Sequence, residues 1–364
     1  MDGKIVVSVR KFELVFENPS GTSRGVLTHK PSWFLEIHQG LKTGVGECSI
    51  IQGLSPDYED DVHYELVLEK VRTDLELVLN QLAETVIFDK ATYRFVNLDL
   101  LQLMNSIVAF PSIIFGVEVA LLDFFSVVKG ILFDNSFSRG LRSIPINGLV
   151  WMGSYQFMQE QIEQKLSAGF STIKMKVGAI DFQKELALLK GIRNRYSKEE
   201  ITLRVDANGA FSYNETIQVL NELKDLDIHS IEQPIPVGQI ENMRLLCKEN
   251  RVPIALDEEM IGINSLKEKE QLLDVINPQF IILKPSLHGG IFGTYEWIKL
   301  AESRKIAWWI TSALESSIGL NAIAQFTGEF NVTLPQGLGT GGLYTNNLPS
   351  DLIIEKGYLI RKLN

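Results

Sequence analysis

Cysteine and histidine are scarce in this sequence, which has only 2 cysteines and 5 histidines among its 364 residues. The two cysteines, Cys48 and Cys247, form no C-x-x-C pair, so the sequence predicts neither a disulfide framework nor a thiolate metal site. The histidines show no spacing typical of metal ligands, and we interpret each of them as structural. Sulfur and imidazole are therefore not expected to carry the chemistry of this protein.

Long apolar runs are also missing, because no stretch reaches the roughly 20 apolar residues that cross a bilayer as a helix. The first residues, MDGKIVVSVRKFELVF, are too charged for a signal peptide. The formal net charge of −10 disfavours nucleic acid and anionic membrane surfaces as partners. We therefore expect a cytoplasmic globular protein that binds no nucleic acid and no membrane, and the sequence leaves open whether it forms a homo-oligomer.

Charged residues recur along the middle of the chain at intervals of about 25 to 30 residues, the length of one strand, one helix and two loops. Lys176, Asp206, Glu232, Asp257 and Lys284 each end a short apolar run. In a (β/α)₈ barrel the chemistry lies at the C-terminal ends of the strands. The spacing therefore predicts a barrel and places these side chains at its mouth.

The pattern from Ser143 onward indicates alternating strands and helices. Ser212 with Glu215, and Ser265 with Glu268, fit the capping box that begins a helix. Such alternation is typical of a parallel sheet whose helices connect successive strands. The predicted strands cover residues 143–148, 172–177, 202–206, 229–232, 253–257, 280–284, 306–311 and, more weakly, 332–335.

The first part of the chain has a different pattern, typical of an α+β unit. A polar segment over 17–25 predicts a mobile flap. Arg24 in this segment is interpreted as a solvated loop residue, with a partner for an anion as the alternative. We divide the chain into an α+β unit over 1–130 and a barrel over 131–344, and we expect the tail 345–364 to return to the α+β unit. The α+β unit has predicted strands over Lys4–Phe16, Trp33–Gln39 and Thr43–Ile50, and predicted helices over 59–82, 92–108 and 112–129.

Three carboxylates are expected to converge at the barrel mouth, because Asp206, Glu232 and Asp257 end neighbouring strands. Without a cation they would repel one another, and at least one of them would hold a proton. A divalent metal removes this conflict, and ligands that are all oxygen favour Mg²⁺ or Mn²⁺ over Zn²⁺. Capping of the following helices is the alternative interpretation of these acids.

Lysines flank this predicted metal site on two sides. Lys174 and Lys176 are two residues apart on one strand and therefore face the same side, while Lys284 lies across the barrel. A lysine must be neutral to act as a base, and a close positive charge together with burial favours the neutral state. The pattern predicts that a lysine removes a proton next to a substrate carboxylate, while the metal neutralises the developing enediolate.

Six segments of the chain resemble the muconate-lactonising subgroup of the enolase superfamily: IKMKVG, RVDANGAF, IEQPI, ALDEE, ILKPSLHGG and TSALESSIGLNAIAQ. The resemblance covers essentially the whole chain. It implies an α/β fold, namely a modified TIM barrel (β/α)₇β with an N-terminal α+β capping domain. It also implies that the three carboxylates hold Mg²⁺, or Mn²⁺, and that Lys176 and Lys284 are the acid–base pair, with Lys174 supporting Lys176.

Within that subgroup, SALESSIGLNAIAQ and QGLGTGGLYTNN are similar to the branch that forms o-succinylbenzoate in menaquinone biosynthesis. This implies a hydro-lyase reaction, the syn dehydration of 2-succinyl-6-hydroxy-2,4-cyclohexadiene-1-carboxylate. It also implies that Ser312 and the backbone around Gly339 hold the succinyl arm. Asn208 either supports the substrate or the residues behind the metal ligands, or only forms the turn in D-A-N-G. Arg204 either orients the metal ligands or forms a structural ion pair.

Two other functions stay open at this point. Two opposed lysines suit a racemase or epimerase equally well, because one lysine can take a proton and the other can return it. N-succinylamino acids are the substrate class that fits, since PQGLGTGG offers no acid for the ammonium group of a dipeptide. A barrel that kept this scaffold without catalysis is the third interpretation, against which the complete set of lysines and carboxylates argues.

Overall fold

The computed structural model describes residues 3–22, 25–82 and 86–363. Its N-terminal unit consists, in chain order, of β1 (Val6–Thr22), β2 (Gly25–Gln39), β3 (Lys42–Ser49), α1 (Asp61–Gln81), β4 (Phe88–Asp89), β5 (Arg94–Phe95), α2 (Leu98–Ser106) and α3 (Pro111–Phe125). The strands β1, β2 and β3 form an antiparallel sheet, against which α1 and α3 pack. The predicted meander followed by helices is confirmed.

The strands β1 and β2 extend through most of the polar segment that the sequence predicts as a flap. Their pairing continues to Thr22 opposite Gly25, after a shift in register beyond Val15. The prediction of a loop over 17–25 is therefore wrong for the described part of this segment. The physical reason is that backbone hydrogen bonds hold an antiparallel ribbon, so its strands tolerate polar side chains. Arg24 lies outside the described residues.

The close contact between α3 and β3 depends on glycine. At Gly46 an added Cβ atom would lie 1.8 Å from the carbonyl oxygen of Gly116, and at Gly116 an added Cβ would lie 2.3 Å from Cys48 Sγ. Any larger side chain at these positions would push the helix and the sheet apart. Nearly all residues of α3 are buried, as is typical of a helix that is apolar on every face.

Short strands form the centre of the second part of the chain. They are β6 (Ile144–Pro145), β7 (Gly148–Val150), β8 (Thr172–Lys176), β9 (Thr202–Asp206), β10 (Ser230–Glu232), β11 (Ile254–Leu256), β12 (Phe280–Leu283) and β13 (Ala307–Ile310). The strands β7 to β13 pair in sequential order as one parallel sheet. The predicted alternation of parallel strands and helices is confirmed.

The two edges of this parallel sheet are joined by Gln336 and Gly337. Asn147 beside β7 donates its backbone N–H to Gln336 O at 3.0 Å, and Gly337 N donates to the last carbonyl of β13 at 2.8 Å. Residues 332–335, which the sequence predicts as a weak strand, form no strand. Pro335 supplies the physical reason, because proline lacks the N–H group that a strand ladder requires.

Helices connect the strands of the barrel. They are α4 (Tyr155–Ser167), α5 (Phe182–Arg193), α6 (Tyr213–Lys224), α7 (Ile240–Glu249), α8 (Leu266–Ile276), α9 (Gly290–Ser303) and α10 (Ser317–Thr327). The capping boxes predicted at Ser212 and Ser265 are confirmed, since both reciprocal bonds are present at the starts of α6 and α8. No helix in the described ranges is long and apolar enough to cross a membrane.

The C-terminal tail forms a hairpin of β14 (Leu352–Glu355) and β15 (Tyr358–Arg361). The strand β15 pairs antiparallel with β6 at the start of the barrel. Before the hairpin, the side chain of Asn346 donates to Glu13 O at 2.8 Å and accepts from Val15 N at 2.9 Å. The tail thus contacts both parts of the chain, and the domain limits drawn from the sequence stay a prediction.

A buried carboxylate of the N-terminal sheet contacts the barrel directly. Glu47 on β3 accepts hydrogen bonds from Ser316 N at 2.9 Å, from Ser316 Oγ at 2.6 Å and from Gly319 N at 3.0 Å. These donors lie at the start of α10, where backbone N–H groups have no partner within their own helix. Glu47 therefore holds α10 against the N-terminal sheet.

Glu47→Ala is expected to lower the free energy of unfolding by about 1–3 kcal/mol, because it leaves buried donors at the start of α10 without an acceptor. Urea denaturation followed by circular dichroism measures this change. Glu302→Ala is the control, since Glu302 pairs with Lys299 on the surface, where an ion pair contributes little. A loss no larger than that of the control would contradict a stabilising role for Glu47.

Candidate active site

The charged residues predicted from the strand ends lie together at the C-terminal edge of the parallel sheet. Asp206 ends β9 and is paired with Glu232 on β10 and with Lys176 on β8. Asp257 directly follows β11, and Lys284 directly follows β12. The fold therefore brings these five residues into one cluster, in the arrangement that their spacing predicts.

Lys174 and Lys176 point to the same side of β8, as their separation by two residues predicts. Lys174 Nζ lies 2.9 Å from Asp206 Oδ2 and 2.5 Å from Glu232 Oε2. Lys176 Nζ lies 3.1 Å from the same oxygen of Asp206. The two lysines thus meet at one carboxylate oxygen, and their side chains are only 13% and 12% exposed.

Lys284 approaches the cluster from the other side. Its Nζ donates to both carboxylate oxygens of Asp257, with the contact to Oδ1 at 2.6 Å. The backbone N–H of Lys284 donates to His288 Nδ1 at 2.9 Å, and His288 N donates back to Lys284 O at 3.0 Å. Because β8 and β12 are four strands apart, a ligand over the carboxylates would have lysines on two sides.

Burial and mutual repulsion act against the negative charges of this cluster. Burial raises the pKa of Glu232 well above its usual value, and the neighbouring Asp206 and Asp257 raise it further. Burial acts in the same direction on the pKa of Asp206, but Lys174 and Lys176 outweigh it and hold that pKa below its usual value. Burial alone would lower the pKa of Lys174, but Asp206 and Glu232 raise it above its usual value. The two carboxylates therefore favour the charged form of Lys174 beside Lys176.

The donor set of the cluster fits a hard divalent cation. Asp206, Glu232 and Asp257 offer carboxylate oxygens from three adjacent strands, which is the ligand type that such cations prefer. Among the described residues, no three His, Cys, Asp or Glu side chains are placed so that they could hold a metal ion as they stand. Lys174 contacts both Asp206 and Glu232. A cation there would remove the repulsion that raises the pKa of Glu232.

Asn208 forms the predicted turn and also contacts other residues of the site, while its contact with substrate stays a prediction. Its backbone is left-handed, with φ of 44°, as the turn requires. Its side chain accepts from Lys176 Nζ at 2.5 Å and donates to Glu258 Oε1 at 3.0 Å. Glu258, which the sequence analysis missed, is buried beside Asp257, and burial followed by the Asp257 charge raises its pKa. The second acid of ALDEE was the signal that could have pointed to it.

The predicted residues for the succinyl arm also face this site. The hydroxyl of Ser312 donates to Glu315 Oε2 at 2.6 Å and accepts from Leu314 N at 2.9 Å. Its proton is thus already engaged within the protein, so a substrate oxygen would have to compete with Glu315 for it. Gly339 lies near Asn147, whose carbonyl oxygen would be 3.6 Å from a Cβ at that position. Substrate contact by Ser312 and Gly339 stays a prediction.

A cavity of about 560 Å³ lies over the cluster and has walls from both parts of the chain. Leu27 and Gln52 of the N-terminal unit line it together with Trp151. Two buried oxygens on its wall, Asn147 Oδ1 and Thr340 Oγ1, have no partner within the described part of the chain. Apolar side chains and the charged cluster contribute about equally to the cavity wall, which suits a small organic substrate that carries a carboxylate. The sequence analysis missed Asn147 and Thr340. Asn147 lies in the predicted strand 143–148, and Thr340 directly follows Gly339, which is a predicted substrate contact.

Arg204 lies beneath this cavity, and its role in orienting the metal ligands stays a prediction. Its guanidinium group stacks on the Trp309 ring at 4.0 Å from the ring centre, and Nη1 donates to Pro335 O at 2.7 Å. No ion pair of Arg204 is present in the described ranges. Trp309 lines the cavity, so Arg204 supports its floor through the aromatic ring.

Comparison with known proteins agrees with this geometry. Residues 157–360 match the family model described as Enolase C-terminal domain-like. The o-succinylbenzoate synthase of Desulfotalea psychrophila is 48% identical over 97% of this chain and 98% of its own length. The chain belongs to the enolase superfamily. The crystal structure of MenC from the same organism superimposes with a TM-score of 0.81 and 42% identity, covering 99% of this chain and all of that one.

More distant proteins match part of this chain or share its fold. The L-Ala-D/L-Glu epimerase of Francisella tularensis subsp. novicida is 33% identical, but over only 50% of this chain and 50% of its own length. Muconate lactonizing enzyme from Pseudomonas fluorescens superimposes with a TM-score of 0.77 at 20% identity over 98% of this chain and 94% of that one, a likeness that shows the fold alone. These matches confirm the predicted modified TIM barrel with its capping domain. Enzymes of the enolase superfamily generally use a divalent metal.

Proposed function

We propose that this protein is an o-succinylbenzoate synthase, a hydro-lyase that removes water from 2-succinyl-6-hydroxy-2,4-cyclohexadiene-1-carboxylate. The observation that carries this proposal is the 48% identity to an enzyme of that name over essentially the full length of both chains. The lysines on two sides of one buried carboxylate cluster support it. The product belongs to menaquinone biosynthesis, and we place the protein in the cytoplasm.

Lys176 is the base in this proposal. Its neutral amine removes the proton from the carbon that carries the ring carboxylate, and the electron pair moves into that carboxylate. The resulting ammonium group then gives the proton to the hydroxyl on the neighbouring carbon, so that the C–O bond breaks and water leaves from the same face. The ring gains its third double bond and becomes aromatic. Asn208, 2.5 Å from Lys176 Nζ, orients the amine.

Lys284 supplies a fixed positive charge on the other side of the substrate. Its ammonium group is held by both oxygens of Asp257 and is largely buried. A charge that is already in position stabilises the developing negative charge without reorganisation during the reaction. Lys174, which stays charged beside Lys176, adds to the positive field over the ring carboxylate.

Asp206, Glu232 and Asp257 are the residues that would hold Mg²⁺, with Mn²⁺ as the alternative. When bound, the cation neutralises the negative charge that develops on the substrate carboxylate. The convergence of three buried carboxylates from adjacent strands supports this assignment, because their mutual repulsion favours a cation between them.

Addition of Mg²⁺ to EDTA-treated protein is expected to raise the unfolding temperature. A ligand that binds only the folded state stabilises it by about 2.7 kcal/mol at 100 times its Kd. Differential scanning calorimetry measures the shift without any need for activity. The matched variant Glu232→Gln is expected to lose most of the shift, and an equal response in both proteins would contradict a metal site at Glu232.

Racemisation of N-succinylamino acids is the second candidate function. The observation in its favour is the pair of lysines on strands four apart, which can take and return a proton on opposite faces of a carbon. An epimerase among the relatives matches only half of this chain, whereas the synthase matches nearly all of it. The synthase is therefore the leading proposal.

Loss of the ultraviolet absorbance of the cyclohexadiene substrate tests the proposed function directly. We expect rapid loss with purified protein and Mg²⁺, and little loss after EDTA treatment. A folded, metal-loaded protein that leaves the absorbance unchanged would contradict the synthase proposal. Exchange of the α-proton of N-succinylamino acids in deuterium oxide would then test the second candidate.

A further inference from the structure

Glu118 belongs to α3 of the N-terminal unit, yet its carboxyl group contacts the barrel. Its Oε2 accepts a hydrogen bond from Ile291 N at 2.5 Å, and its Oε1 accepts one from Phe292 N at 3.3 Å. Both donors lie in the first turn of α9, where backbone N–H groups have no partner within the helix. The N-cap residue Gly289 forms no side-chain capping bond. Glu118 therefore supplies the acceptors for these backbone N–H groups, which the N-cap residue of α9 lacks.

The contact between Glu118 and the start of α9 requires a glycine at position 290, directly after the N-cap. At Gly290 an added Cβ would lie 2.1 Å from Glu118 Oε2, and the backbone there has φ of +75°, which favours glycine. Glu118 itself is only 4% exposed. The start of α9 is thus shaped to receive this carboxyl group from α3.

The same short segment of the barrel carries Lys284. Lys284 N donates to His288 Nδ1, His288 N donates back to Lys284 O, and Gly290 N donates to Pro285 O at 2.9 Å. These bonds join Lys284 to the first turn of α9 as one compact turn. A displacement of Ile291 would therefore move the backbone of Lys284 with it.

The loop after Lys176, on the other side of the site, is held by a different set of contacts. The loop after Lys176 is bound by Glu185 of α5, which accepts from Gly178 N at 2.8 Å and Ala179 N at 3.2 Å. Glu185 lies within the barrel itself. The loop beyond Lys176 is therefore supported by the barrel, whereas the turn beyond Lys284 is supported both by the barrel, where Ser286 donates to Glu315 at 2.6 Å, and by the N-terminal unit.

We propose that Glu118 is a positioning residue for Lys284. Through the contact of Glu118 with α9, the packing of the N-terminal unit against the barrel fixes the position of the Lys284 ammonium group. The proposal rests on the proposed function, in which Lys284 stabilises negative charge on the substrate. Loss of the contact should weaken transition-state stabilisation more than substrate binding, because the charge that Lys284 meets develops during the reaction.

Variants at Glu118 and Asp123 test this inference. Asp123 is the matched control, because it lies on the same helix and accepts from Val45 N at 3.0 Å within the N-terminal unit. Burial raises the pKa of Glu118 to about 8, so Glu118→Gln is a close neutral replacement that keeps one acceptor oxygen, while Glu118→Leu keeps the volume and removes both.

Glu118→Leu is expected to lower kcat by up to about 10²-fold with little change in KM, as a misplaced catalytic group does. Glu118→Gln should retain an intermediate kcat, and Asp123→Asn should retain that of the unchanged protein. Dehydration of the cyclohexadiene substrate measures these values, and calorimetry verifies that each variant is folded. A folded Glu118→Leu with the kcat of Asp123→Asn would overturn the inference.

Amide hydrogen exchange gives a second readout that does not depend on activity. Peptides that cover residues 284–292 should exchange faster in both Glu118 variants than in the unchanged protein, and not faster in Asp123→Asn. Unchanged exchange in this segment would overturn the inference even if kcat fell. If the unchanged protein fails to dehydrate the substrate, the proposed function fails, and the exchange measurement still decides whether Glu118 holds the Lys284 turn.

Discussion

Lys176→Ala is expected to lower kcat by at least about 10²–10⁴-fold, the contribution typical of general base catalysis. The side chain is fixed for this role, since its Nζ contacts Asp206 at 3.1 Å and Asn208 at 2.5 Å in a largely buried position. Alanine removes the only atom that can carry the proton in the proposed mechanism. The initial rate of dehydration at saturating substrate and Mg²⁺ measures the loss.

Lys165→Ala is the control for this experiment. Lys165 is a half-buried lysine of the same barrel that lies over the Phe170 ring, 5.5 Å from its centre, and outside the carboxylate cluster. Its removal should leave kcat unchanged, although it can lower stability through lost packing. Turnover by Lys176→Ala close to that of Lys165→Ala would remove Lys176 from the mechanism.

Lys284→Ala is expected to lower kcat by about 10²–10³-fold, the loss typical of removing one group that stabilises charge in the transition state. Lys284→Arg should keep part of the activity, because arginine preserves the positive charge and can still bind both oxygens of Asp257. The ranking of the two variants in the dehydration assay tests the electrostatic role. Lys198→Arg is the control, since Lys198 pairs with Asp227 at 3.1 Å on the surface, away from the cluster and from α9.

The same arginine variant separates the two candidate functions. Arginine is not deprotonated in proteins, so Lys284→Arg should abolish any racemisation while some dehydration survives. Proton exchange of an N-succinylamino acid in deuterium oxide measures the first activity. Complete loss of dehydration in both Lys284 variants, with Lys198→Arg active, would leave the electrostatic role of Lys284 without support.

The carboxylates and lysines of the site were predictable from sequence because strand geometry fixes them locally. Alternation along a strand puts Lys174 and Lys176 on one side of β8. A repeat of one strand and one helix puts Asp206, Glu232 and Asp257 at the same edge of the sheet. Neither inference needs knowledge of distant contacts, and the structure brings these residues together as expected.

The predictions that failed depended on pairing with another part of the chain. The segment 17–25 is polar and was predicted as a loop, but β1 and β2 pair through most of its described part. The weak strand at 332–335 does not form, and the barrel closes instead through single backbone contacts of Gln336 and Gly337. Composition indicates whether a segment can be buried, but it does not reveal which backbone groups it will meet.

The sequence by itself determined the strand order of the barrel and the charged residues at its mouth, because both follow from repeats shorter than about 30 residues. Only the tertiary structure decided how these residues are held. Glu118 meets Ile291 across 173 positions of the chain, and Glu47 meets Ser316 across 269 positions. Such bonds leave no local pattern, because they form only when two separately patterned units dock and bury their polar groups against each other.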